Sequence, residues 1–404
     1  LQRASVVGRK FWDNAVEHLN AEAAEVRSNI CDVNAHFTLE TLRHKELIFA
    51  RGASAFGGTN EYIFKHALLR DVTYESVLLR ERRRYHRKIA EWLEERIGER
   101  VNQYAATIAE HYERANEIAR AVEWYGRAGQ QAREAYALAT AIGFYRKALD
   151  FSSAVKDDSG KATWGAQRLE WYAGLAEALW WQARFAEAVE AYTAMREAAE
   201  TEGDVLAQAR ACNGMALVQE RQGDNRTSME SAKCAENLAG GADPTPEAML
   251  EMAAALNRQG SVLYRLGEVA AGMAAGERAL VISTALGQSG RRERAGGLRA
   301  LGVAHLMLGH YEQSYSYLEQ AQALYRELGD RRGVSNMLST MGETARQRGD
   351  YPAAVGLYQE ALAIARDIGE RTGHIICLNN LAGVRVGLGN YDEAEADLRQ
   401  VISM

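Results

Sequence analysis

The sequence predicts a mainly α protein, in which a mixed N-terminal segment precedes a right-handed α-solenoid of stacked helical hairpins. Three observations carry this. Only 3 of 404 residues are proline while 36 are glycine, the signature of helices joined by short glycine turns. A period of about forty residues runs through the second half: Gly309-His310-Tyr311, Gly349-Asp350-Tyr351 and Gly389-Asn390-Tyr391 recur at steps of 40, preceded by Gly267-Glu268-Val269 and Gly223-Asp224-Asn225 at steps of 42 and 44. The period vanishes before Gln103, which divides the chain into a region 1–100 and an array 101–404 of about seven units, the first ones degenerate and the last truncated.

Taken in order, the N-terminal region reads as a helix from Leu1 to Asn20, a helix from Asn34 to Lys45, and a hairpin whose strands are Leu47-Ile48-Phe49 and Tyr62-Ile63-Phe64. Gly52-Ala53-Ser54-Ala55-Phe56-Gly57-Gly58 forms the loop of that hairpin, and two helices followed by such a hairpin suggest a winged helix. One long helix follows, from His66 through Glu95, with Leu68, Val72, Val77, Tyr85, Ile89, Trp92 and Leu93 at helical spacing. It is expected to continue across a bend into the array.

Tyr104 to Leu149 is degenerate: Ala121, Tyr125 and Ala128, then Ala141, Tyr145 and Ala148, look like second helices with divergent partners. Lys156-Asp157-Asp158-Ser159-Gly160-Lys161 is a polar loop, and Gly240 to Pro246 is a longer connection. Trp171 to Met195 reads as a further unit, with Ala176, Phe185, Ala188 and Tyr192 at matching offsets. In the regular units a small residue lies seven positions before the turn glycine (Ala216, Gly260, Gly302, Gly342, Ala382) and another five after it (Ser228, Gly272, Ser314, Ala354, Ala394). Helices approach closely only where side chains are small, and Tyr311, Leu318, Tyr351 and Tyr358 then fill the gaps between them. At Gly349-Asp350-Tyr351-Pro352 glycine ends one helix, Asp350 caps the next and Pro352 falls in its first turn.

Composition bounds the function. With 47% hydrophobic and 25% charged residues the chain is ordinary globular protein. A formal net charge of -6 provides no global field for a polyanion. Four cysteines without a CxxC pair argue against a zinc module or a disulfide framework and for a reducing, cytoplasmic setting. No apolar run reaches the ~18 residues of a membrane span. The chain starts at Leu1 and stops inside a helical pattern at Val401-Ile402-Ser403-Met404, so it reads as a piece of a longer protein. There is no GxxxxGK[ST], GxSxG, HExxH or post-strand GxGxxG, so no catalysis, metal or cofactor is expected. His305 and His310, five apart around a turn glycine, do not share one helix face.

The repeat resembles the tetratricopeptide family in its longer variant, from about Tyr104 onward. Tyr62-Ile63-Phe64-Lys65-His66-Ala67-Leu68-Leu69-Arg70-Asp71-Val72, followed by Tyr85-His86-Arg87-Lys88-Ile89-Ala90-Glu91-Trp92-Leu93, is similar to the winged-helix end of signal-transducing AAA/STAND ATPases with repeat sensors. In such bacterial regulators the ATPase couples the sensor to a nucleotide cyclase or a DNA-binding domain. The resemblance implies an ATPase and an output domain N-terminal to this chain. It also implies that His66, at the place of the methionine-histidine-aspartate histidine, senses nucleotide when that ATPase is attached; here the triplet is Lys65-His66-Ala67. The other reading of His66 is a partly buried core residue.

In tetratricopeptide proteins the first helix of each unit lines the concave side, and the position three before the small residue faces the groove. The resemblance assigns Asn213, Asn257, Arg299, Ser339 and Asn379 to it, with Glu343, Arg346 and Asn380 beside them. Asparagine donates and accepts, which suits recognition of an extended peptide backbone; an ordinary polar face is the alternative. Arg80, Arg82, Arg83, Arg84, Arg87 and Lys88 form a basic cluster that reads as a solvated helix face, an interdomain contact, or a phosphate contact in which nucleic acid is the disfavoured partner. The expected function is a regulatory scaffold binding a protein or peptide of unknown identity. The alternative is a transcription regulator touching DNA through the winged helix and the basic helix. A homo-oligomer through the array ends, where Leu398, Val401 and Ile402 have no polar cap, is a further expectation.

Overall fold

A computed structural model describes residues 1–26, 35–52, 54, 56–97, 101–154 and 164–404. It divides into two compact units, Leu1–Arg184 and Phe185–Met404. The first holds α1 (Gln2–Val7), β1 (Lys10–Trp12), α2 (Asp13–Val26), α3 (Ala35–His44), β2 (Ile48–Ala50), β3 (Glu61–Phe64), α4 (Ala67–Glu75), α5 (Leu79–Ile97), α6 (Val101–Ala115), α7 (Ile118–Glu134), α8 (Leu138–Ala154) and α9 (Gly165–Trp181). The polar loop expected at 156–161 lies outside the described residues.

The strands form one antiparallel sheet in the order β1-β3-β2. The helix expected over Leu1–Asn20 is therefore two helices with a strand between them. Gly8, at φ +150°, ends α1, and Phe11 then pairs with Tyr62 across the sheet, stacking on it at 5.7 Å and meeting Phe64 at 5.3 Å. Asp13 restarts the helix: its Oδ1 accepts from Asn14 N and Asn60 N, and its Oδ2 from Asn60 Nδ2 at 2.7 Å. The resulting order, helix–strand–helix–helix–strand–strand, is winged-helix-like.

The single helix expected from His66 to Glu95 is broken at 76–78. Val77 is buried there, and Arg82 Nε donates to the freed Val77 carbonyl at 2.7 Å. Tyr85, Ile89, Trp92 and Leu93 are core as expected, but Leu68 and Val72 are 73% and 62% exposed. The hairpin loop folds inward: Phe56 is buried against Trp12, Trp92 and Tyr104 at ring separations of 4.9, 5.3 and 5.1 Å. This cluster fastens α6 to the winged-helix-like segment, so the compact unit extends beyond the 100/101 boundary read from the period.

A second buried joint uses polar groups. His86 on α5 and His111 on α6 approach Nδ1 to Nδ1 at 2.8 Å, and the Tyr74 hydroxyl of α4 lies 2.9 Å from His86 Nε2. His111 also bonds the Val7 carbonyl of α1. One proton arrangement satisfies every partner: His111 donates to Val7 and accepts from His86 Nδ1–H, and Tyr74 donates to His86 Nε2. Burial drives the His86 pKa down to about 2, helped by His111 and by Arg114, Arg70 and Arg82; burial and Arg114 lower that of His111 to about 3.

The second unit holds α10 (Phe185–Glu202), α11 (Val205–Gln222), α12 (Asn225–Gly241), α13 (Pro246–Arg265), α14 (Val269–Ala285), α15 (Arg291–Met307), α16 (Tyr311–Glu327), α17 (Arg331–Arg348), α18 (Tyr351–Asp367), α19 (Arg371–Gly387) and α20 (Tyr391–Ser403). Every small residue singled out at the two contact positions is buried. A Cβ at Gly302 would meet Leu318 at 2.7 Å and one at Gly342 would meet Tyr358 at 2.9 Å, and Leu318 and Tyr358 are fully buried. Tyr311 and Tyr351 are half-buried. Gly240 and Gly241 belong to α12, leaving a four-residue link before α13.

Turns with positive φ recur twice per forty residues, at Gly309, Gly329, Gly349, Gly369 and Gly389. The degenerate part keeps this geometry without the glycine, at Asn116, Tyr136 and Ala183 with φ of 65°, 56° and 57°. The structure thus corrects the reading of both as second helices with short or divergent partners: α7 and α8 are partners of one another around Tyr136.

Two outcomes follow for stability. A left-handed L-residue costs ~1–2 kcal/mol, and glycine's extra chain entropy returns ~0.5–1 kcal/mol of that. Tyr136, 79% exposed, has little packing to lose, so Tyr136→Gly raises the urea midpoint of the N-terminal unit. The histidine pair acts through pH. Both folded pKa values lie below the ordinary 6.5, so the stabilisation is complete above that value. It is lost as pH falls, by about 1.4 kcal/mol per pH unit per histidine, while only the unfolded state takes up protons. Urea unfolding followed by tryptophan fluorescence should show the midpoint falling from pH 7 to pH 5, with a flatter dependence in His86→Gln/His111→Gln.

Candidate functional site

The candidate groove positions lie on the first helices of the hairpins, and the structure treats them differently. Asn213 and Asn257 are buried. Asn213 Nδ2 donates to the Glu251 carbonyl and carboxylate at 3.0 and 2.9 Å, and Asn257 Nδ2 to those of Glu293 at 2.9 and 3.1 Å. Both amides thus tie one first helix to the next, α11 to α13 and α13 to α15. Their Oδ1 atoms are enclosed and accept no hydrogen bond. Three residues is nearly one helical turn, so this position leans toward the small contact residue and is covered by the neighbouring hairpin. A Cβ at Gly296 would sit 2.6 Å from the Asn257 amide nitrogen, which is why α15 carries glycine there.

Ser339 is half-buried and its hydroxyl is bonded to the Cys377 thiol, which burial pushes up to about 11. Glu343 and Arg346 close on each other: Arg346 Nε donates to Glu343 Oε2 at 2.8 Å, and Tyr358 of α18 donates to the same oxygen at 3.0 Å. Burial opposes ionisation of Glu343, but hydrogen bonds from Arg346, Gln347 and Tyr358 prevail and hold its carboxyl below the usual range. These two residues therefore face the second helix of their own hairpin. Asn379 is exposed and Asn380 half-buried. The eight positions do not converge on one point.

A different set does converge. Glu220 on α11 is buried and shared by Arg265 at 3.1 Å, Arg258 at 3.8 Å and the Ser261 hydroxyl at 2.6 Å, all from α13. Arg332 on α17 pairs with Glu370 at 3.5 Å. Arg221 has open surface, yet surrounding protein and the positive charge of Arg332 lower its pKa, with Glu220 and Glu370 opposing. A residue of α11 that feels residues at the starts of α17 and α19 lies on the inner side of a curved stack. Arg299 on α15 is half-buried within electrostatic reach of the Tyr264 and Tyr325 phenols. Tyr264 Oη is buried without a hydrogen bond, and burial raises its pKa. Burial also raises the Glu293 carboxyl, against Arg258 and the Asn257 hydrogen bond. Among the described residues no carboxylate is ion-paired with Arg221 or Arg299. The approach of Arg221 to Arg332 and Glu370 requires the curvature of the array, which no local pattern encodes.

In the N-terminal unit His66 is the N-cap residue of α4 and is exposed, with no side-chain cap bond. The partly buried alternative is thereby overturned. The basic residues do not form one patch. Arg82 pairs with Glu75 at 3.1 Å, Arg84 with Glu81 at 3.1 Å and Arg87 with Glu117 at 3.6 Å, Lys88 is buried, and Arg80 and Arg83 are exposed. Across the turn at Gly309, His305 and His310 do meet, Nδ1 to Nδ1 at 3.4 Å, with His305 stacked on Tyr317. Leu398 and Ile402 of α20 are exposed. Among the described residues no helix is long and apolar enough to cross a membrane.

The profile of the family described as tetratricopeptide repeat matches residues 333–404. No curated protein matches the chain by sequence. Among solved structures, the apo form of the quorum sensor NprR from B. thuringiensis is similar at a TM-score of 0.58 and 11% identity, covering 97% of this chain and 96% of that one. A Rap protein complexed with competence and sporulation factor is similar at 0.51 and 16%, covering 70% and 75%. A STAND protein with a tetratricopeptide repeat sensor from Pyrococcus horikoshii aligns at 0.46 and 15%; 99% of this chain spans 62% of that one. The chain is a mainly helical tetratricopeptide-repeat array with a small three-stranded segment at its N-terminus.

Proposed function

We propose that the array is a non-catalytic regulatory scaffold that binds an extended, acidic peptide segment in the trough of the second unit. The observation that carries this reading is that Arg221, exposed, and Arg299, half-buried, both on first helices, have no ion-paired carboxylate among the described residues. A guanidinium takes a carboxylate in a bidentate geometry, and a trough partly shielded from water strengthens that contact. Arg299, Asn379 and Asn380 remain the groove residues of this reading, with Arg221 added. Asn213, Asn257, Ser339, Glu343 and Arg346 support the wall from behind. The solved neighbours suit it, one being a quorum sensor and one a complex with competence and sporulation factor.

The winged-helix-like order of α1 to β3 and the exposed His66 support the further reading that this is the sensor arm of a multidomain signalling ATPase, with ATPase and output domains elsewhere in a longer protein. The DNA-binding alternative has less support: Phe56 anchors the wing in the interior, and three of the cluster's arginines are engaged by Glu75, Glu81 and Glu117.

The test is selection from a displayed library of random heptapeptides on the purified chain. Enriched sequences should carry aspartate or glutamate. Their affinity should fall about tenfold or more in Arg221→Gln and in Arg299→Gln, the loss of one charge-assisted hydrogen bond of ~1.5–3 kcal/mol. Asn379→Ala should weaken binding less. Affinity unchanged in both arginine variants would remove the trough assignment.

A further inference from the structure

Cys212 on α11 and Cys234 on α12 are 22 residues apart, yet their Sγ atoms lie 3.1 Å from each other. The turn explains why. Both residues are eleven positions from Gly223, and in two antiparallel helices residues equidistant from the turn stand at the same level. The Ser228 hydroxyl, donating to the Ala216 carbonyl at 2.8 Å, pins the same register closer to the turn. Cys212 is buried and Cys234 half-buried, both free thiols. The guanidinium of Arg196 on α10 lies against Cys212 Sγ.

We propose that Cys212 and Cys234 are a peroxide-oxidisable dithiol that closes to a reversible disulfide within the α11–α12 hairpin. A disulfide needs its sulfurs at ~2.05 Å, so the pair must close by about 1 Å, within the reach of side-chain rotation. The two thiols have distinct roles. Burial pushes the Cys212 thiol up to about 12, which leaves the more accessible Cys234 as the first nucleophile. Its thiolate attacks one peroxide oxygen; the O–O bond breaks, Cys234 becomes a sulfenic acid, and the departing hydroxide leaves as water with the thiol's proton. Cys212 sulfur, its developing charge met by Arg196, then attacks the sulfenic sulfur. The S–S bond forms, the S–O bond breaks, and hydroxide leaves with the Cys212 proton as a second water. Two thiols lose two electrons and one peroxide gains them. The disulfide lies one residue from Asn213, so oxidation staples the helix whose amide holds Glu251 of the next hairpin.

The test treats the full chain with hydrogen peroxide, removes the peroxide, unfolds the chain in guanidinium chloride, blocks remaining thiols with iodoacetamide and maps the peptides by mass spectrometry. The expected product is one peptide pair joining Cys212 to Cys234, lighter by two hydrogens and separated by dithiothreitol, with Cys377 still alkylated. Cys234→Ser should leave Cys212 fully alkylated after peroxide. Cys212→Ser should accumulate a sulfenic acid at Cys234 that dimedone traps. The proposal is overturned if both wild-type thiols remain alkylatable, or if Cys234 proceeds to sulfinic acid while Cys212 stays free. The mapping on the wild-type chain and on Cys234→Ser stands by itself should Cys212→Ser not fold.

Discussion

The second unit depends on a left-handed glycine following most of its helices at a nearly constant interval, α12 being an exception with an extended end at Ala242. One residue with positive φ lets the chain reverse while its amide satisfies carbonyls of the helix it ends; Gly349 donates to Arg346 O and Asp350 to Ala345 O, and Gly309 and His310 repeat the pattern with Leu306 and His305. Because the interval is fixed, so is the level at which each residue of one helix meets the next. That register places Ser228 against Ala216, Leu318 over Gly302, Tyr358 over Gly342, and Cys212 against Cys234. A turn one residue longer would rotate each second helix by about 100° and set polar side chains against the seam.

Buried apolar clusters run from one hairpin into the next, and ion pairs recur beside them with the repeat. Arg292 meets Asp330 and Arg332 meets Glu370, each reaching the next hairpin, at 3.7 and 3.5 Å, while Arg291 with Glu327 and Arg331 with Asp367, at 3.6 and 3.1 Å, join the two helices of one hairpin. Exposed pairs of this kind contribute little singly, ~0–1 kcal/mol. Their importance is positional: each joins helices of one hairpin or of the next. The buried amides of Asn213 and Asn257 do the same work with greater effect, because a buried carbonyl or carboxylate left without its donor costs ~1–3 kcal/mol.

Much of this was legible in the sequence, and the failures share a cause. Turn glycines, small contact residues and the β2–β3 hairpin are local patterns, and local patterns read correctly. Strand β1 escaped because three residues inside a helix-like stretch become a strand only when Tyr62 and Phe64 are placed beside Phe11. The α7–α8 pair was misread because Tyr136 adopts the turn conformation that glycine announces elsewhere. The break between α4 and α5 carries no glycine or proline; Val77 enters the core and Arg82 caps the interruption. Asn213 and Asn257 have the composition of a recognition surface, but their donors are consumed by Glu251 and Glu293, each about one repeat later in the chain. Arg221 could not be grouped with Arg332 and Glu370 at all, because only the curvature of the stack brings them together.

The trough and the seam are one electrostatic system. Glu220 anchors α11 to α13 by holding Arg258, Arg265 and Ser261, and Glu293 anchors α13 to α15 through Asn257 while sensing Arg258. A carboxylate entering beside Arg221 competes with Glu220 for the same cations, and one entering beside Arg299 adds negative charge near Glu293, whose ionisation burial already opposes. Ligand charge is therefore balanced by the groups that set the spacing of successive first helices. A ligand with different affinity for two such spacings shifts the population between them by that difference and no more. On the proposed reading, contacts between neighbouring hairpins would pass such shifts from one hairpin to the next, the means by which a binding trough would act as a regulatory one.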